Sequence, residues 1–290
     1  MDADKTVFII GSGRSGTTIL YNILATHPEF ASFSTLSNNQ PGSKDWLRFQ
    51  KLIVRGAFES YVSKRIINPT KVSKFLTYPF QPSEGGKIYR FCGFEDGRKM
   101  TENDYDGDME RKLKDIIKMH MEVFDKKSFI NKRTANTQRL RLINIMFPDA
   151  YYIHMIRDGR AVINSYLGVD WWNDMPLWWL GKKVSEYEDA SDPIELAAIH
   201  WMKNFEEIVA NKHIFQRYIE VRYEELVHEP KKEIKKLIEF VGLSYPERFQ
   251  NSIPEKLPNM NYKWRKHLTN KQVAIIDSVA KDLLEKLGYK

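Results

Sequence analysis

Residues 6–20 have the sequence TVFIIGSGRSGTTIL, an apolar run followed by a loop rich in glycine and hydroxyl side chains. The apolar run is typical of a buried strand, and the loop leads directly into a helical pattern. A strand, a tight turn and a helix start together form an anion site, because backbone N–H groups and the helix dipole converge there. The stretch therefore predicts a phosphate-binding loop in a fold of alternating strands and helices.

This loop differs at one position from the P-loop pattern G-x-x-x-x-G-K-[ST], whose lysine contacts the outer phosphates of a nucleoside triphosphate. Gly11 and Gly16 have the required spacing, but Thr17 replaces the lysine and Arg14 lies inside the loop. Because a γ-phosphate would lose its usual counter-charge, a 5′-phosphate that carries another group fits better. The alternative is a turn whose serine and threonine side chains merely cap the helix.

A second strand–turn–helix unit has the sequence YYIHMIRDGRAVINSYL at residues 151–167. Arg157 stands at the strand end, with Ser165 about two helical turns later. An arginine there can bind a phosphate through two hydrogen bonds, which suggests a second phosphate separate from the first. Two alternatives remain: Asp158 as a magnesium ligand, or Arg157, Asp158 and Arg160 as surface ion pairs of little energetic weight.

The rest of the chain continues the alternation, which favours one α/β domain, residues 1–290, around a parallel sheet. Further strands are predicted at residues 128–132 and 217–223. Helices are predicted at residues 17–27, 45–66, 109–124, 137–147, 157–167, 230–242 and 270–288. Residues 31–44 and 65–108 break the pattern, and loops of this length are more often functional than inert.

Composition limits the classes of protein that fit. Hydrophobic residues make up 42% and charged residues 29%, as in ordinary soluble domains, and the net charge of +7 fits an anionic ligand or simply a basic surface. The one cysteine, Cys92, excludes an internal disulfide and a cysteine-cluster metal site. The early first strand leaves no room for a signal peptide and no run is apolar enough to span a membrane, so a complete chain is expected to be cytoplasmic. The sequence contains no basic run with interleaved aromatic residues, so no nucleic-acid partner is predicted.

The two motifs together resemble those of the sulfotransferases that use 3′-phosphoadenosine 5′-phosphosulfate (PAPS). GSGRSGTTIL at 11–20 looks like their 5′-phosphosulfate loop, and IRDGRAVINSY at 156–166 resembles their 3′-phosphate segment. Three further segments are similar, in order and spacing, to the carbohydrate, tyrosylprotein and bacterial branches: ILATHPEF at 23–30, VRYEELVHEP at 221–230 and KWRKHLT at 263–269. The resemblance thus covers nearly the whole chain.

The resemblance implies a P-loop-type three-layer α/β/α fold with a central parallel sheet, in which residues 31–44 and 65–108 form an acceptor lid. It implies sulfuryl transfer from PAPS to an acceptor hydroxyl or amine, with adenosine 3′,5′-bisphosphate as product and no metal. The residues that it places on the 5′-phosphosulfate are Ser12, Gly13, Arg14, Ser15, Gly16, Thr17 and Thr18. It places Arg157 and Ser165 on the 3′-phosphate.

The same resemblance suggests further nucleotide contacts. Tyr223 lies against the adenine or is a core tyrosine at a strand end. Lys263, Trp264 and Arg265 close over the nucleotide or are an ordinary basic cap before the last helix. Arg14 is expected to stabilise the charge on the leaving oxygen.

The residue that activates the acceptor departs from the family pattern. Tyrosylprotein sulfotransferases carry a glutamate shortly after the His-Pro-Glu segment, but residues 30–39 here, FASFSTLSNN, contain no carboxylate or histidine. We expect Glu84, the one carboxylate of FQPSEGGKIYRF at 80–91 in the second long loop, to be the base; the alternative is a solvated turn residue. The weaker candidates are Glu95, Asp96 and His120. His154 lies within a strand and is expected to be a core histidine.

The acceptor itself is not specified by the sequence. Four tryptophans follow the 3′-phosphate helix, Trp171, Trp172, Trp178 and Trp179, and they either stack on an acceptor or pack a loop onto the core. A sugar, a lipid or another small molecule fits, whereas a peptide tyrosine is less favoured because the matching glutamate is absent. The alternative functions are a nucleotide kinase or other NTPase and a non-catalytic binder of a phosphorylated or sulfated ligand.

Overall fold

The computed structural model describes residues 5–54, 78–187 and 193–289. Within these ranges, five strands form one parallel sheet in the order β2-β3-β1-β4-β7, and β5 and β6 form a small antiparallel hairpin. The strands are β1 (Lys5–Ile10), β2 (Phe30–Ala31), β3 (Ser128–Lys132), β4 (Tyr151–Ile156), β5 (Pro176–Leu177), β6 (Lys182–Lys183) and β7 (Arg217–Arg222).

Helices connect the strands and cover the sheet. The α-helices are α1 (Thr17–Leu24), α2 (Thr35–Asn39), α3 (Lys44–Ile53), α4 (Gly86–Phe91), α5 (Gly107–Phe124), α6 (Leu140–Met146), α7 (Gly159–Leu167), α8 (Pro193–Asn211), α9 (Tyr223–His228), α10 (Pro230–Val241), α11 (Glu247–Ser252), α12 (Trp264–His267) and α13 (Asn270–Lys286). Short 3-10 helices lie at Tyr78–Phe80, Glu102–Asp104, Thr134–Arg139, Val184–Glu186, Lys212–Ile214 and Asn261–Lys263.

The two faces of the sheet bury different cores, as the alternation of side chains along β1 requires. Phe8 and Ile10 pack into a cluster with residues of α4, α5 and α6. Val7 and Ile9 pack into a second cluster with residues of α1, α9, α10 and α11. A third cluster joins α7, α8 and α13. The predicted three-layer α/β/α architecture with a central parallel sheet is confirmed.

The position of β1 determines where a ligand can bind. β1 lies between β3 and β4, with Val7 opposite both Ile130 and Tyr151. After β1 the chain forms β2 and β3 on one side of β1, and it then crosses over to form β4 and β7 on the other side. The strand order therefore reverses beside β1. Ligands of open α/β sheets bind at such a switch point, outside the carboxyl ends of the strands. The loops after β1, β3, β4 and β7 all meet there.

The two stretches that interrupt the sequence pattern pack against each other where they are described. Ser34 forms an isolated antiparallel bridge with Pro82, and the Ser83 N–H donates to the Phe33 carbonyl at 2.8 Å. Residues 65–77 of the predicted lid, and all of the predicted helix 45–66 beyond residue 54, lie outside the described residues. Among the described residues, no helix combines the length and hydropathy needed to cross a bilayer.

Candidate active site

The loop after β1 is shaped by side chains that pack directly beneath it. Gly16 has a φ of +96°, and a Cβ there would lie 2.5 Å from a ring carbon of Tyr223. A Cβ on Gly13 would lie 2.6 Å from the Tyr166 hydroxyl. Arg14 itself has a left-handed φ of +65°. These constraints turn the loop backbone towards the start of α1, as an anion-binding loop requires.

The predicted hydroxyl donors divide into two groups. Ser12 Oγ lies 3.2 Å from the Tyr166 hydroxyl, and the Ser15 hydroxyl donates to the Ser12 carbonyl. Thr17 is buried, whereas Thr18 is exposed at the start of α1. The serine hydroxyls therefore hold the loop in shape, and Thr18 is the predicted donor that faces outward.

The two phosphate motifs meet in space. Arg14 Nε donates to Ser165 Oγ at 2.8 Å, and Arg157 Nη1 donates to the Arg14 carbonyl at 2.8 Å across 143 positions of the chain. Arg157 is 7% exposed, and burial lowers the pKa of its guanidinium. Arg14 is exposed. The loop after β1, the two arginines and the Ser165 hydroxyl thus lie next to one another.

Tyr223 and Asn261 hold Arg157 from two sides. The Arg157 guanidinium lies 4.1 Å from the centre of the Tyr223 ring, and Arg157 Nε donates to Asn261 Oδ1 at 2.8 Å. Tyr223 is 1% exposed, and its hydroxyl donates to the Pro258 carbonyl at 3.2 Å. Tyr223 is therefore buried beneath the loop and Arg157, which favours the core-tyrosine alternative, and its contact with adenine stays a prediction. Asn261 had no signal in the sequence.

Both carboxylate oxygens of Asp158 accept hydrogen bonds from Arg160 of its own helix, α7. Asp158 caps α7 by accepting from the Arg160 N–H, and its two carboxylate oxygens each accept from the Arg160 guanidinium at 3.0 Å. This arrangement weakens the hypothesis of a magnesium ligand.

The basic segment at 263–265 lies beside the proposed 3′-phosphate helix. The Arg160 guanidinium lies 4.6 Å from the centre of the Trp264 ring, and Lys263 and Arg265 are exposed.

Glu84 reaches the same edge of the sheet from the second long loop. Its carboxylate forms an ion pair with Lys132 Nζ and accepts from the Thr134 N–H at 3.4 Å. Glu84 and Gly13 of the phosphate loop line one cavity of about 240 Å³. The Lys132 side chain is 5% exposed. Our sequence interpretation missed Lys132, although a lysine that ends a buried parallel strand is a usable signal.

Two other carboxylates in this loop have arginine partners. Asp96 lines the same cavity but pairs with Arg90 and Arg133. Burial would raise the pKa of the Asp96 carboxyl, but Arg133, Arg90 and Arg139 outweigh burial and lower it. Glu95 is bound on the surface by Arg98 at 2.8 Å. The arginine partners thus favour the ionised form of both carboxylates, Asp96 and Glu95, and each carboxylate in turn positions its arginines.

The two candidate histidines lie in the core. His120 donates from Nδ1 to the Ile116 carbonyl at 2.7 Å, and burial lowers its pKa to about 4. His154 Nδ1 lies 2.7 Å from the Tyr218 hydroxyl, and burial lowers its pKa to about 3. His154 is therefore a core histidine, as predicted, and His120 packs between aromatic rings of the core.

The tryptophan segment divides between the cavity and the core. Trp171 is 47% exposed and lines the 240 Å³ cavity, whereas Trp172 is 3% exposed and packs 4.8 Å from the Tyr166 ring. Trp179 Nε1 donates to His200 Nδ1 at 3.3 Å. His200, on α8, also lines the cavity. The packing alternative thus holds for Trp172, and stacking of Trp171 on an acceptor stays a prediction.

Comparison with known proteins identifies similar chains. A model of the sulfotransferase family matches residues 6–247. Omega-hydroxy-beta-dihydromenaquinone-9 sulfotransferase Stf3 of Mycobacterium bovis is 20% identical over 309 residues, covering 99% of this chain and 76% of the relative. Protein-tyrosine sulfotransferase A of Caenorhabditis elegans is 25% identical over 314 residues, covering 98% and 67%. The crystal structure of sulfotransferase STF1 from Mycobacterium tuberculosis H37Rv is similar with a TM-score of 0.60 at 12% identity, covering 96% of this chain and 76% of that one.

Proposed function

The chain belongs to the sulfotransferase family, and we propose that it transfers a sulfuryl group from PAPS to the hydroxyl of a small acceptor by in-line displacement. The contact between Arg14 and Ser165 carries this proposal, because it brings the two predicted phosphate-binding motifs together in space. A ligand for both motifs has phosphates at both ends of its ribose. PAPS has this property and carries the transferable sulfuryl group.

Within this proposal, the two motifs divide the nucleotide between them. Arg14 and the loop N–H groups bind the 5′-phosphosulfate and stabilise the negative charge that develops on the leaving oxygen. Arg157 and Ser165 bind the 3′-phosphate, since a guanidinium presents a fork of donors that matches phosphate oxygens. Lys263, Trp264 and Arg265 close over the nucleotide from the side of α7. Tyr223 positions Arg157 from below.

Glu84 is the proposed general base. It lies in the cavity that Gly13 of the phosphate loop also lines, and so faces the side from which an acceptor approaches. Glu84 takes the proton of the acceptor hydroxyl while the oxygen–sulfur bond forms and the bond to the phosphate oxygen breaks. Lys132 forms an ion pair with Glu84 and holds the carboxylate in place. Described parts of the predicted acceptor lid, residues 78–108, supply this wall of the cavity.

The 3′-phosphate assignment is tested by Arg157→Ala. We expect at least tenfold weaker binding of adenosine 3′,5′-bisphosphate, with little change for adenosine 5′-monophosphate, because a lost charge-assisted hydrogen bond costs about 1.5–3 kcal/mol. Isothermal calorimetry measures both affinities. The control is Arg217→Ala. Arg217 begins β7, at the edge of the sheet away from Arg157, and pairs with Asp149. Equal loss for both nucleotides would remove Arg157 from the 3′-phosphate site.

The base assignment is tested by Glu84→Gln. We expect turnover to fall about 100-fold or more, while binding of adenosine 3′,5′-bisphosphate stays unchanged. Transfer of labelled sulfate from PAPS measures turnover. The control is Glu95→Gln, whose carboxylate lies on the surface with Arg98. Turnover of Glu84→Gln close to that of the unaltered chain would exclude Glu84 as the base.

The alternative functions predict different ligands. An NTPase would be retained on immobilised ATP with magnesium, whereas the proposed enzyme is retained on immobilised adenosine 3′,5′-bisphosphate. A non-catalytic binder would bind the nucleotide and transfer no labelled sulfate to any member of an acceptor library. Mass spectrometry of that library, with the mass of an added sulfuryl group as the signal, identifies the acceptor directly.

A further inference from the structure

Asp96 and Arg133 line the 240 Å³ cavity, and the cluster around Asp96 contains more arginine than carboxylate. Arg90, Arg133 and Arg139 all contact the single carboxylate of Asp96. The Arg90 side chain is half exposed, so solvent screens its charge. Arg133 and Arg139 are buried and share the remaining oxygen of Asp96. Among the described residues, this cluster is therefore short of negative charge.

The buried guanidinium groups also have unused donors. Arg133 Nε and Arg139 Nη1 are buried and have no hydrogen-bond partner among the described residues. Arg139 is 0% exposed, and burial, with the like charge of Arg133, lowers its pKa to about 10. A buried charged group with unmade hydrogen bonds loses its hydration without full compensation, which is unfavourable. Charged groups with perturbed pKa values cluster at functional sites, so this arrangement is a candidate for binding the anion of a ligand.

Arg133 is the member of the cluster placed to meet a ligand. It lines the cavity together with Gly13 and Glu84. Gly86 leaves the space for its guanidinium, because a Cβ on Gly86 would lie 2.9 Å from Arg133 Nη1. Gln138 lines the same cavity, and its buried Oε1 also has no partner among the described residues.

From this arrangement we propose that the acceptor carries an anionic group, a carboxylate, sulfate or phosphate, which Arg133 binds beside the hydroxyl that reacts at Glu84. The inference rests on the proposed sulfuryl transfer and names its acceptor class. The guanidinium fork suits all three anions, since each presents a pair of oxygens. Gln138 Oε1 accepts from a second hydroxyl or amide of the acceptor. Trp171, Met175 and Pro176 supply the apolar wall for its carbon frame.

Matched pairs of single-ring acceptors test the proposal. The carboxylate pair is 4-hydroxyphenylacetate and 4-hydroxyphenylacetamide, and the phosphate pair is 4-hydroxyphenyl phosphate and hydroquinone. Calorimetry measures their binding to the protein saturated with adenosine 3′,5′-bisphosphate, and labelled sulfate transfer from PAPS gives kcat/KM. We expect at least one anionic member to bind and react about tenfold or more better than its neutral partner.

The variants separate a charge effect from a general loss. Arg133→Met is expected to abolish the anionic preference and leave the neutral acceptors unchanged, and Arg133→Lys, a variant closer in structure, is expected to retain part of it. The control Arg141→Met removes a half-exposed arginine that pairs with Glu102. The proposal is wrong if neither anionic probe exceeds its neutral partner, or if Arg133→Met weakens both alike. Absence of all sulfate transfer from PAPS would instead overturn the proposed function, and the comparison of acceptor binding would still decide this proposal.

Discussion

At the scale of single residues, the glycines of the first loop serve two sides of the backbone. Their spacing predicts that a phosphate can approach the solvent side of the loop backbone closely. On the core side, the rings of Tyr166 and Tyr223 pack against Gly13 and Gly16. Tyr223 fills the space that a Cβ on Gly16 would need and lies against the Arg157 guanidinium. The loop and the proposed 3′-phosphate arginine are therefore held by one buried ring.

Gly16→Ala tests this coupling. The substitution forces a left-handed φ on alanine and a contact of 2.5 Å with Tyr223, so we expect a loss of about 2–4 kcal/mol in the free energy of unfolding. Urea denaturation measures the loss. Gly107→Ala is the control, since the space around Gly107 at the start of α5 is open. If both variants unfold at the same urea concentration, the Tyr223 ring does not constrain the loop.

At the scale of elements, α7 is positioned by its crossing with α8. Gly159 begins α7, and a Cβ there would lie 2.7–2.8 Å from three ring carbons of Trp201 on α8. The close crossing fixes the start of α7, two residues after Arg157. Helix α8, which the sequence interpretation did not predict, thus sets the position of the proposed 3′-phosphate site and also supplies His200 to the cavity.

Gly159→Ala is expected to move the two helices apart. Overpacking of this kind costs about 1–3 kcal/mol, and the shift of Arg157 should weaken adenosine 3′,5′-bisphosphate binding severalfold. Gly168→Ala, at the other end of α7, meets its nearest atom at 3.7 Å and should change stability by no more than about 0.5 kcal/mol. Thermal unfolding and calorimetry follow the two effects. If Gly159→Ala is destabilised but its nucleotide affinity is unchanged, the crossing of α7 and α8 does not determine the position of Arg157.

At the scale of the whole molecule, four buried histidines make stability depend on pH. Burial lowers the pKa of His27, that of His120 to about 4, and those of His154 and His200 to about 3. Their ordinary value is 6.5. Below pH 6.5 the unfolded chain therefore binds protons that the folded chain does not, and the free energy of unfolding falls as pH falls towards about 4.

The contribution of one histidine can be isolated by His120→Gln. Each such group contributes about 1.4 kcal/mol per pH unit to the slope, so the variant should show a shallower loss of stability between pH 6 and pH 4.5, by about that amount. Urea denaturation across the range measures the slope. The exposed His213 provides the matched control, His213→Gln, whose slope should equal that of the unaltered chain. An unchanged slope in His120→Gln would mean that His120 takes up protons in the folded state.

Local patterns predicted most of the elements that carry the proposed site. Strands β1, β3, β4 and β7 lie where their apolar runs predict them, and α7 follows the second motif. Helix α8 was missed, although it is long. The two-residue strand β2 is too short to leave a periodic signal, and the lid contains helices α2 and α4 in a stretch that resembles loop.

The sequence by itself determined the two predicted anion-binding motifs and the strands and helices that flank them, β1 with α1 and β4 with α7, because these depend on residues close together in the chain. Tertiary structure alone decided that Tyr223 is buried under Arg157, that Lys132 meets Glu84, and that three arginines share Asp96. These contacts join residues that are far apart in the chain and come together only when parallel strands align their carboxyl ends. Charge balance is a property of that assembled volume, so no local pattern could predict where a negative charge is missing.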